Sequence, residues 1–352
     1  MASFPITAKK RESNLELFRI IAMLSIVAHH YVVNSGVLEQ MEVDTINAKS
    51  VFYWLFGMWG KTGINCFVLI TGWFMCRSQI TLRKFLKLYL EIIFYCLLFY
   101  IIFIITGYIK FSLKDFFFSV FPIHGMNNSF VSSFLVFYLF IPFLNILVHN
   151  MSFRQHSLLL LLCVFGYTFM GSIPWFHVSF NYVSWFSVLF LIASYFRLYC
   201  ENLLVFKNLK WGWWSILFVL ISSCSVIVIL LTGKKQELMP YYFVSDSNKV
   251  LALTTSLCLF MYFKNLTLSY HKWINVVAST TFGVFLIHTN SVAMRQWLWQ
   301  DVVDVKGHYL SDLFLWYSLC VVFVIFIICM IVDLVRIRFI EQPILRFLEH
   351  YI

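Results

Sequence analysis

The feature that most constrains this chain is an apolar stretch near its start that also carries ionisable side chains. Residues 15–33 read LELFRIIAMLSIVAHHYVV, which is long and apolar enough to cross a bilayer as a helix. Arg19 and His30 are eleven residues apart. At about 100° per residue they project from nearly the same face, roughly 16 Å apart along the axis. Ionisable groups at this depth usually face a bundle interior or a watery cavity, so the stretch predicts a transmembrane helix with a functional polar face. The alternative is a helix whose polar groups only hydrogen-bond to neighbouring helices.

The composition is that of a membrane protein. Of the 352 residues, 61% are hydrophobic and only 12% are charged, whereas a soluble domain carries about 25% charged residues. By itself the formal net charge of +10 is typical of a protein that binds nucleic acid, but the cations lie in short loops between apolar segments, as membrane topology demands. We therefore predict an all-α, polytopic helix bundle in the lipid bilayer, a single domain over residues 1–352 without a nucleic-acid partner.

The apolar segments divide the chain into ten predicted spans, and we find no internal repeat among them. The spans cover residues 15–33, 51–76, 85–107, 129–149, 157–171, 179–197, 212–232, 249–263, 274–294 and 312–335. The second span holds Lys61 within the glycine-rich run GMWGKTG. This run favours two half-helices in place of one continuous helix, an arrangement tolerated where the backbone lines a protein-enclosed cavity.

The basic residues predict which side of the membrane each end faces. With the N-terminus inside, 17 of the 26 Lys and Arg residues lie in inner segments and 8 in outer loops, with Lys61 assigned to neither. Cytoplasmic segments carry the excess of basic residues, so both termini are expected in the cytoplasm.

Two histidines near the end of the first span are the best candidates for chemistry. An imidazole has a pKa near neutrality, so His30 can take a proton from a hydroxyl group as that hydroxyl attacks a carbonyl. Adjacent helix positions point about 100° apart, so His29 cannot serve the face that holds Arg19. We expect His29 to pack against a neighbouring helix or to bond to Ser25. Asn34 lies one turn after His30, within reach on the same face.

A basic cluster follows the second span, in the segment RSQITLRKFLK. Its members are Arg77, Arg83, Lys84 and Lys87. Such a cluster can hold the phosphates of a cytosolic ligand, but ordinary positive-inside loops have the same composition, and both interpretations stay open here. Glu91 lies one turn after Lys87, which predicts an ion pair between them.

The ninth span contributes His288 within STTFGVFLIHTN. This histidine is either a buried, hydrogen-bonded residue or part of a substrate channel, and Gly283 before it permits a close helix contact. The nine cysteines show no CxxC or Cys/His ligand spacing. The chain has no P-loop, GxSxG, HExxH or GxGxxG motif either, so nothing indicates a metal site, a covalent nucleophile or nucleotide hydrolysis.

These residues resemble a known family. Arg19, ten further residues and then His30 are similar to the Arg-x10-His signature in the first helix of the acyltransferase-3 family of bacterial integral membrane O-acyltransferases. Later segments resemble other landmarks of that family in the same order. They are GINCFVLITGWFM (63–75) with Thr71 in a Ser-Gly position, the pair Arg83-Lys84, FYLFIP (137–142) with Tyr138, TTFGVFLIH (280–288) and FIEQP (339–343).

The resemblance implies transfer of an acyl group, usually acetyl from cytosolic acetyl-CoA, to a hydroxyl group of a surface glycan or lipid-linked glycan in the bacterial cytoplasmic membrane. Acetyl-CoA is then a substrate, and no permanently bound cofactor is implied. His30 becomes the catalytic base, with Arg19 as its catalytic partner or donor contact. The basic cluster becomes the acyl-CoA site, and the residues assigned to the pocket are His29, Asn34, Thr71, Tyr138 and His288.

The chain departs from the family pattern at two points. Many members carry a Glu shortly before the FYLLxP segment, where this chain has Ser132 and Ser133, and the basic pair is Arg-Lys where the family has Arg-x-Arg. Two other classes remain as alternatives. A transporter would also use ionisable residues at mid-membrane and broken helices. A structural or sensory membrane protein would need no chemistry.

Overall fold

The computed structural model describes residues 12–43, 46–123, 129–176, 178–179, 181–201, 203, 206, 209–232 and 239–349. In these residues the regular structure is helical throughout, with no strand, as the all-α prediction requires. The helices are α1 (Ser13–Val33), α2 (Val37–Val43), α3 (Ala48–Gly57), α4 (Gly60–Met75), α5 (Leu82–Ile105), α6 (Leu113–Val120), α7 (Phe130–Asn150), α8 (Phe153–Cys163), α9 (Tyr182–Tyr195), α10 (Trp211–Thr232), α11 (Val250–Asn265), α12 (Lys272–Ser279), α13 (Thr281–His288), α14 (Val292–Gln296), α15 (Val305–His308), α16 (Phe314–Arg336) and α17 (Gln342–Glu349). The π-helical turns Val164–Met170, Phe196–Cys200, Trp297–Val302 and Ile337–Glu341 continue α8, α9, α14 and α16.

The first span is the centre of the bundle. Helix α1 packs against α3, α4, α11, α12, α13 and α16, and side chains along it such as Phe18 and Ile26 are buried. Gly63 permits the close approach of α4, because a side chain there would meet the carbonyl oxygen of Ala22 and the side chain of Ile26. In a membrane, where lipid is as apolar as the protein core, such small residues let helices pack tightly.

Helix α1 also defines two ends of the bundle. We call them the Arg19 end, where α1 begins, and the His30 end, where it finishes. At the Arg19 end, Asn14 donates a hydrogen bond from Nδ2 to the carbonyl oxygen of Lys264, over 3.1 Å. This bond places the last turn of α11 beside the first turn of α1.

The described residues contain seven helical segments long and apolar enough to cross a membrane. They are Ser13–Val33, Leu82–Ile105, Phe130–Asn150, Phe153–Met170, Tyr182–Cys200, Trp211–Thr232 and Phe314–Phe347. The segments Lys272–His288 and Val292–His308 qualify only as a pair, bent by 96°. Helices α3, α4 and α11, with 10, 16 and 16 residues, are too short to count alone. The described structure thus holds seven or eight candidate spans where the sequence predicts about ten.

The predicted break in the second span is confirmed. Helix α3 ends at Gly57 and α4 begins at Gly60, with Met58 and Trp59 between them. The break faces α1, because the carbonyl oxygen of Gly57 lies 2.6 Å from His29 Nδ1. The glycine-rich run therefore brings irregular backbone to the His30 end, enclosed by protein as the physics of a bilayer requires.

The predicted ion pair between Lys87 and Glu91 does not form. Lys87 Nζ lies 2.7 Å from Glu341 Oε1, while Glu91 Oε1 lies 3.0 Å from Arg336 Nη2. Arg336 also contacts Asp333 Oδ1 through Nε at 2.7 Å and Glu341 Oε2 through Nη1 at 2.8 Å. We call these five residues the buried ion network. Burial explains the exchange of partners, because a desolvated guanidinium and its carboxylates must be paired, whereas a surface i,i+4 pair contributes little.

The network connects α5 to α16, and α13 packs against it. Tyr95 on α5 donates its hydroxyl hydrogen to Asp333 Oδ1 over 2.7 Å. Gly283 on α13 lies directly against the Asp333 carboxylate, where a β-carbon would have no room. The close helix contact predicted for Gly283 is therefore confirmed, and its partner is a buried charge.

Candidate active site

His30 lies among polar groups at the His30 end and is half-buried. Its Nδ1 is 2.8 Å from Nδ2 of Asn34, the residue that directly follows α1, so the contact predicted from their spacing forms. The His30 ring also approaches His288 on α13, with the ring centroids 5.4 Å apart. The structure therefore brings together His30, Asn34 and His288, all three of which the sequence marks as site residues.

His29 has a different role. Its Nδ1 donates to the carbonyl oxygen of Gly57 at the α3–α4 break, and its ring packs so closely on Gly60 that a β-carbon there would overlap the ring. The expected packing against a neighbouring helix is thus observed. The alternative bond to Ser25 is not, because the Ser25 hydroxyl donates to the carbonyl oxygen of Ile21. His29 holds the broken helix pair in place.

His288 presents an unsatisfied nitrogen. It is fully buried, and its Nδ1 donates to the carbonyl oxygen of Val284 over 2.6 Å. Its Nε2 has no hydrogen-bond partner among the described residues, and the same holds for the indole Nε1 of Trp299, whose ring centroid is 6.2 Å from that of His288. Buried polar atoms in native proteins are almost always paired, so an unpaired acceptor and an unpaired donor on neighbouring rings mark a candidate contact point for a polar ligand.

Two cations lie near His30 that the sequence did not assign to the site. Lys61 follows the α3–α4 break, and its Nζ donates to the Tyr182 hydroxyl over 2.5 Å. Arg295 follows the bend after α13, and its Nη1 donates to the carbonyl oxygen of Thr289 over 3.1 Å. The charges of both act on His30. Each cation follows a break in an apolar span. For Lys61 the glycine-rich run made this break visible in the sequence.

One wall of the site is aromatic. The Phe285 ring lies 6.3 Å from the His30 ring and 4.9 Å from that of Phe130 at the start of α7. Phe130 stacks on Phe134 one turn further, and Tyr138 continues the row with its ring 6.4 Å from that of Phe134. Tyr138 therefore lies two turns along α7 from Phe130, the ring of this row that meets Phe285. An apolar wall of this kind keeps water from the imidazole.

Arg19 and Thr71 lie at the other end of the bundle. Arg19 Nη1 is 3.0 Å from Glu16 Oε2, and its guanidinium lies over the Phe67 ring at 5.8 Å. The Thr71 hydroxyl donates to the carbonyl oxygen of Phe67 over 3.0 Å. Since α1 separates Arg19 from His30, neither Arg19 nor Thr71 belongs to the cluster around His30.

The side chains of the basic cluster bind to different partners. Arg77 Nη1 lies 3.2 Å from Glu201 Oε2, and Lys84 Nζ donates to Ser78 Oγ over 2.9 Å. Lys87 belongs to the buried ion network. The side chains of Arg77, Arg83, Lys84 and Lys87 are exposed. The structure thus leaves this cluster on the surface at the start of α5, apart from His30.

Replacing Gly60 by alanine is expected to lower the melting temperature and the activity of the protein together. The added β-carbon meets the His29 ring, and forcing extra atoms into a packed site costs about 1–3 kcal/mol. Gly166→Ala is the matched control, because that helical glycine has open space beside it, and the substitution should be neutral or slightly stabilising. Thermal unfolding and activity of the two purified variants measure the effect. If the two variants unfold at the same temperature and are equally active, Gly60 does not hold the His29 ring in place.

The bundle and its site define the class of protein: a multi-pass helical membrane protein with a histidine-centred polar site between its central helix and two broken helices. Residues 12–334 match the model of a family described as an acyltransferase domain, and the chain belongs to this acyltransferase-3 family. No curated protein and no solved structure matches the chain. The resemblance carried by Arg19 and His30 is therefore confirmed over nearly the whole sequence.

Proposed function

We propose that the protein is an O-acyltransferase that moves an acyl group, most simply acetyl, from cytosolic acyl-CoA to a hydroxyl group of a cell-surface polysaccharide or another exported glycan. Membership of the acyltransferase-3 family supports the acyl transfer. The observation that carries the proposal is the meeting of His30 and His288, with ring centroids 5.4 Å apart beside the unpartnered Nε2 of His288. Two imidazoles in an enclosed site suit a reaction that moves a proton as it moves an acyl group.

His30 acts as the general base. The acceptor hydroxyl oxygen bonds to the thioester carbonyl carbon as its proton passes to His30 Nε2. The carbon–sulfur bond then breaks, and the CoA thiolate takes that proton. Nε2 is free for this step when Nδ1 carries the other proton. Asn34 presents its amide nitrogen to Nδ1 over 2.8 Å, so the step also requires a half-turn of this amide that brings its oxygen to Nδ1. A third group that orients the base in this way is a general feature of such sites.

Lys61 and Arg295 stabilise the transition state. Attack on the thioester places negative charge on the former carbonyl oxygen, and fixed cations in a water-poor site interact with such charge strongly. Both cations act on His30 and are held in place, Lys61 by Tyr182 and Arg295 by the Thr289 carbonyl. The aromatic wall over Phe285 excludes the water that would hydrolyse the donor.

The donor enters from the Arg19 end, which we place in the cytoplasm. Arg19, Arg77, Arg83 and Lys84 contribute positive charge for the phosphates of acyl-CoA. The acyl arm extends toward His30 over the roughly 16 Å that separate Arg19 from His30 along α1. Lys87 is left out of this group, because its partner Glu341 also binds Arg336 and so makes Lys87 part of the buried ion network.

In this proposal the protein crosses the cytoplasmic membrane of a bacterium about ten times, and both termini lie in the cytoplasm. Ten results when the broken pair α3–α4, helix α11 and the pair α12–α13 each count as one span beside the seven long segments.

Tags at both termini are expected to be accessible only from the cytoplasm, and a tag within 233–238 only from outside. The expectation follows from the 17-to-8 distribution of Lys and Arg. Residues 239–248 are unsuitable for the second tag, because the Ser247 carbonyl accepts a hydrogen bond from Asn65 inside the bundle. Labelling of intact and opened cells with a membrane-impermeant reagent measures accessibility. A terminus labelled in intact cells would overturn the orientation and the donor side with it.

The proposal is tested by mass spectrometry of surface glycans from cells that carry the wild-type chain, the His30→Ala variant or no copy of the gene. We expect the acylated glycan in the first cells alone, and purified wild-type protein should pass label from acetyl-CoA to that glycan. A transporter would change the amount of glycan on the surface without changing its acylation. If that result is found and the purified protein transfers no label, the protein is a transporter and the proposal of an enzyme is wrong.

A further inference from the structure

The imidazole of His30 is bordered by three other rings. In the described part of the chain, the ring centroids of His29, His288 and Phe285 lie 5.3, 5.4 and 6.3 Å from that of His30. The rings of His288 and Phe285 also meet each other edge to face, with their centroids 6.0 Å apart. Of the three rings around the proposed base, that of Phe285 alone is apolar.

The chemistry assigned to His30 fixes where the reacting groups lie. An acceptor hydroxyl that gives its proton to His30 Nε2 lies within about 3 Å of that atom. The thioester carbonyl carbon that this hydroxyl attacks lies about 3–3.5 Å from the hydroxyl oxygen. The substituent on that carbon is a methyl group in acetyl and a longer hydrocarbon chain in other acyl groups. In each case the substituent is apolar, and an apolar surface beside the base favours its transfer out of water.

Phe285 provides an apolar surface beside the base. Its side chain lies on α13 and is 7% exposed. The other two rings are held by polar contacts: His29 donates to the Gly57 carbonyl oxygen, and His288 donates to the Val284 carbonyl oxygen. We therefore place the acyl substituent against the Phe285 ring.

The Phe285 ring is supported from behind. The Phe130 ring of α7 lies 4.9 Å from it, and Phe130 in turn stacks on Phe134 at 5.5 Å. Phe130 also meets the fully buried Phe186 of α9, with the ring centroids 5.4 Å apart. Side chains packed in this way resist the insertion of extra atoms, because several rings must move together. The wall beside His30 is therefore rigid.

We infer that Phe285 limits the length of the transferred acyl group and makes the protein selective for acetyl over longer groups. The inference rests on the proposed function, since it assigns the donor of that reaction. An acetyl group ends in one methyl group, whereas the further methylenes of a longer chain meet the Phe285 ring. A packed apolar pocket distinguishes ligands that differ by one methylene by about 10- to 200-fold. Phe285 acts on the choice of donor and takes no part in proton transfer.

The test compares acetyl-CoA with butyryl-CoA as donors for the full chain in nanodiscs. The acceptor is glycan extracted from cells that lack the gene, and mass spectrometry measures the acetyl and butyryl groups transferred to it. For the wild type, kcat/KM should be at least about 10-fold lower with butyryl-CoA than with acetyl-CoA. Phe285→Ala removes the ring and should raise the ratio of butyryl to acetyl transfer by at least about 10-fold. Phe285→Leu should raise this ratio less.

Phe143→Ala is the matched control, because Phe143 lies on α7 and is 68% exposed. It should leave the ratio of butyryl to acetyl transfer unchanged. The ratio also separates selectivity from stability. Both donors are measured on the same sample, so a smaller amount of folded protein lowers both rates equally. Phe285→Leu keeps a large apolar side chain in the wall, so it keeps the test available if Phe285→Ala does not accumulate.

The outcomes distinguish this inference from the proposed function. If the wild type transfers acetyl and both Phe285 variants keep its ratio, Phe285 does not select the donor, and the acyl-CoA reaction stands. A wild type that transfers butyryl as readily as acetyl would overturn the inference in the same way. Folded Phe285 variants that transfer neither group would show that the ring serves the reaction itself, which also contradicts the inference. If the wild type transfers no acyl group from either donor, the proposed function is wrong and the inference falls with it.

Discussion

His30→Ala is expected to lower acyl transfer by at least about 10²-fold, the lower range for removing a general base, while the protein still inserts and folds. The half-buried His30 ring is hydrogen-bonded to Asn34 at the end of its own helix, so its removal leaves the packing of α1 largely intact. Transfer of labelled acetyl from acetyl-CoA measures the activity, and thermal unfolding measures the fold. His30→Gln should be similarly inactive, because an amide cannot take up the proton.

His29→Ala is the matched control for this prediction. Its ring packs on Gly60, and its Nδ1 donates to Gly57, so alanine removes a bond and a packing surface from the α3–α4 break. We expect a lower melting temperature and a milder loss of activity, mainly through donor positioning. An inactive His29→Ala with an active His30→Ala would contradict the assignment of the base. The mechanism would then have to be rebuilt around the face of α1 that holds His29.

The sequence predicts the parts of this site that depend on one helix. His30 lies on α1 and Asn34 directly follows its last residue, so the spacing along a helix is enough to place both. The break between Gly57 and Gly60 was also predictable, because three glycines and a lysine within an apolar span are unfavourable for a continuous helix in lipid.

The contacts between distant segments could not be read from local patterns. His288 meets His30 only because α13 packs on α1, and the sequence left open whether His288 is structural or lines a channel. Arg295 and Trp299 follow a 96° bend between His288 and Val292, which interrupts the span that the sequence predicts as continuous over 274–294. The number of spans could not be read from local patterns for the same reason. Helices α3, α4 and α11 are stabilised by neighbouring helices, although each is too short to cross a membrane by itself.

The ion pairs show most clearly where a local rule fails. The i,i+4 rule pairs Lys87 with Glu91, but it does not include the arginine that α16 brings to the same depth. Arg336 takes Glu91, and Glu341 takes Lys87. Glu341 lies in FIEQP, so one of the segments that resemble the family has a structural role in this chain: it joins the end of α16 to the start of α5.

Arg336→Met is expected to destabilise the protein by about 3–5 kcal/mol, the cost of breaking a buried ion pair on one side. Arg336 is 4% exposed and contacts the carboxyl groups of Glu91, Asp333 and Glu341. Without it, Lys87 alone remains to balance the carboxylates of the buried ion network. The variant should unfold at a markedly lower temperature, or fail to accumulate in the membrane. Thermal unfolding of purified protein and immunoblots of membrane fractions measure the two effects.

Arg338→Met is the control, since Arg338 is two residues further along the same segment and is exposed. Surface substitutions of this kind change stability by about 0.5 kcal/mol or less. Adding Glu91→Gln to Arg336→Met should restore part of the lost stability, because it removes one of the carboxylates left unpaired on burial. If Arg336→Met and Arg338→Met unfold at the same temperature, Arg336 is not the centre of the network. The junction between α5 and α16 must then depend on the Tyr95–Asp333 hydrogen bond and on apolar packing.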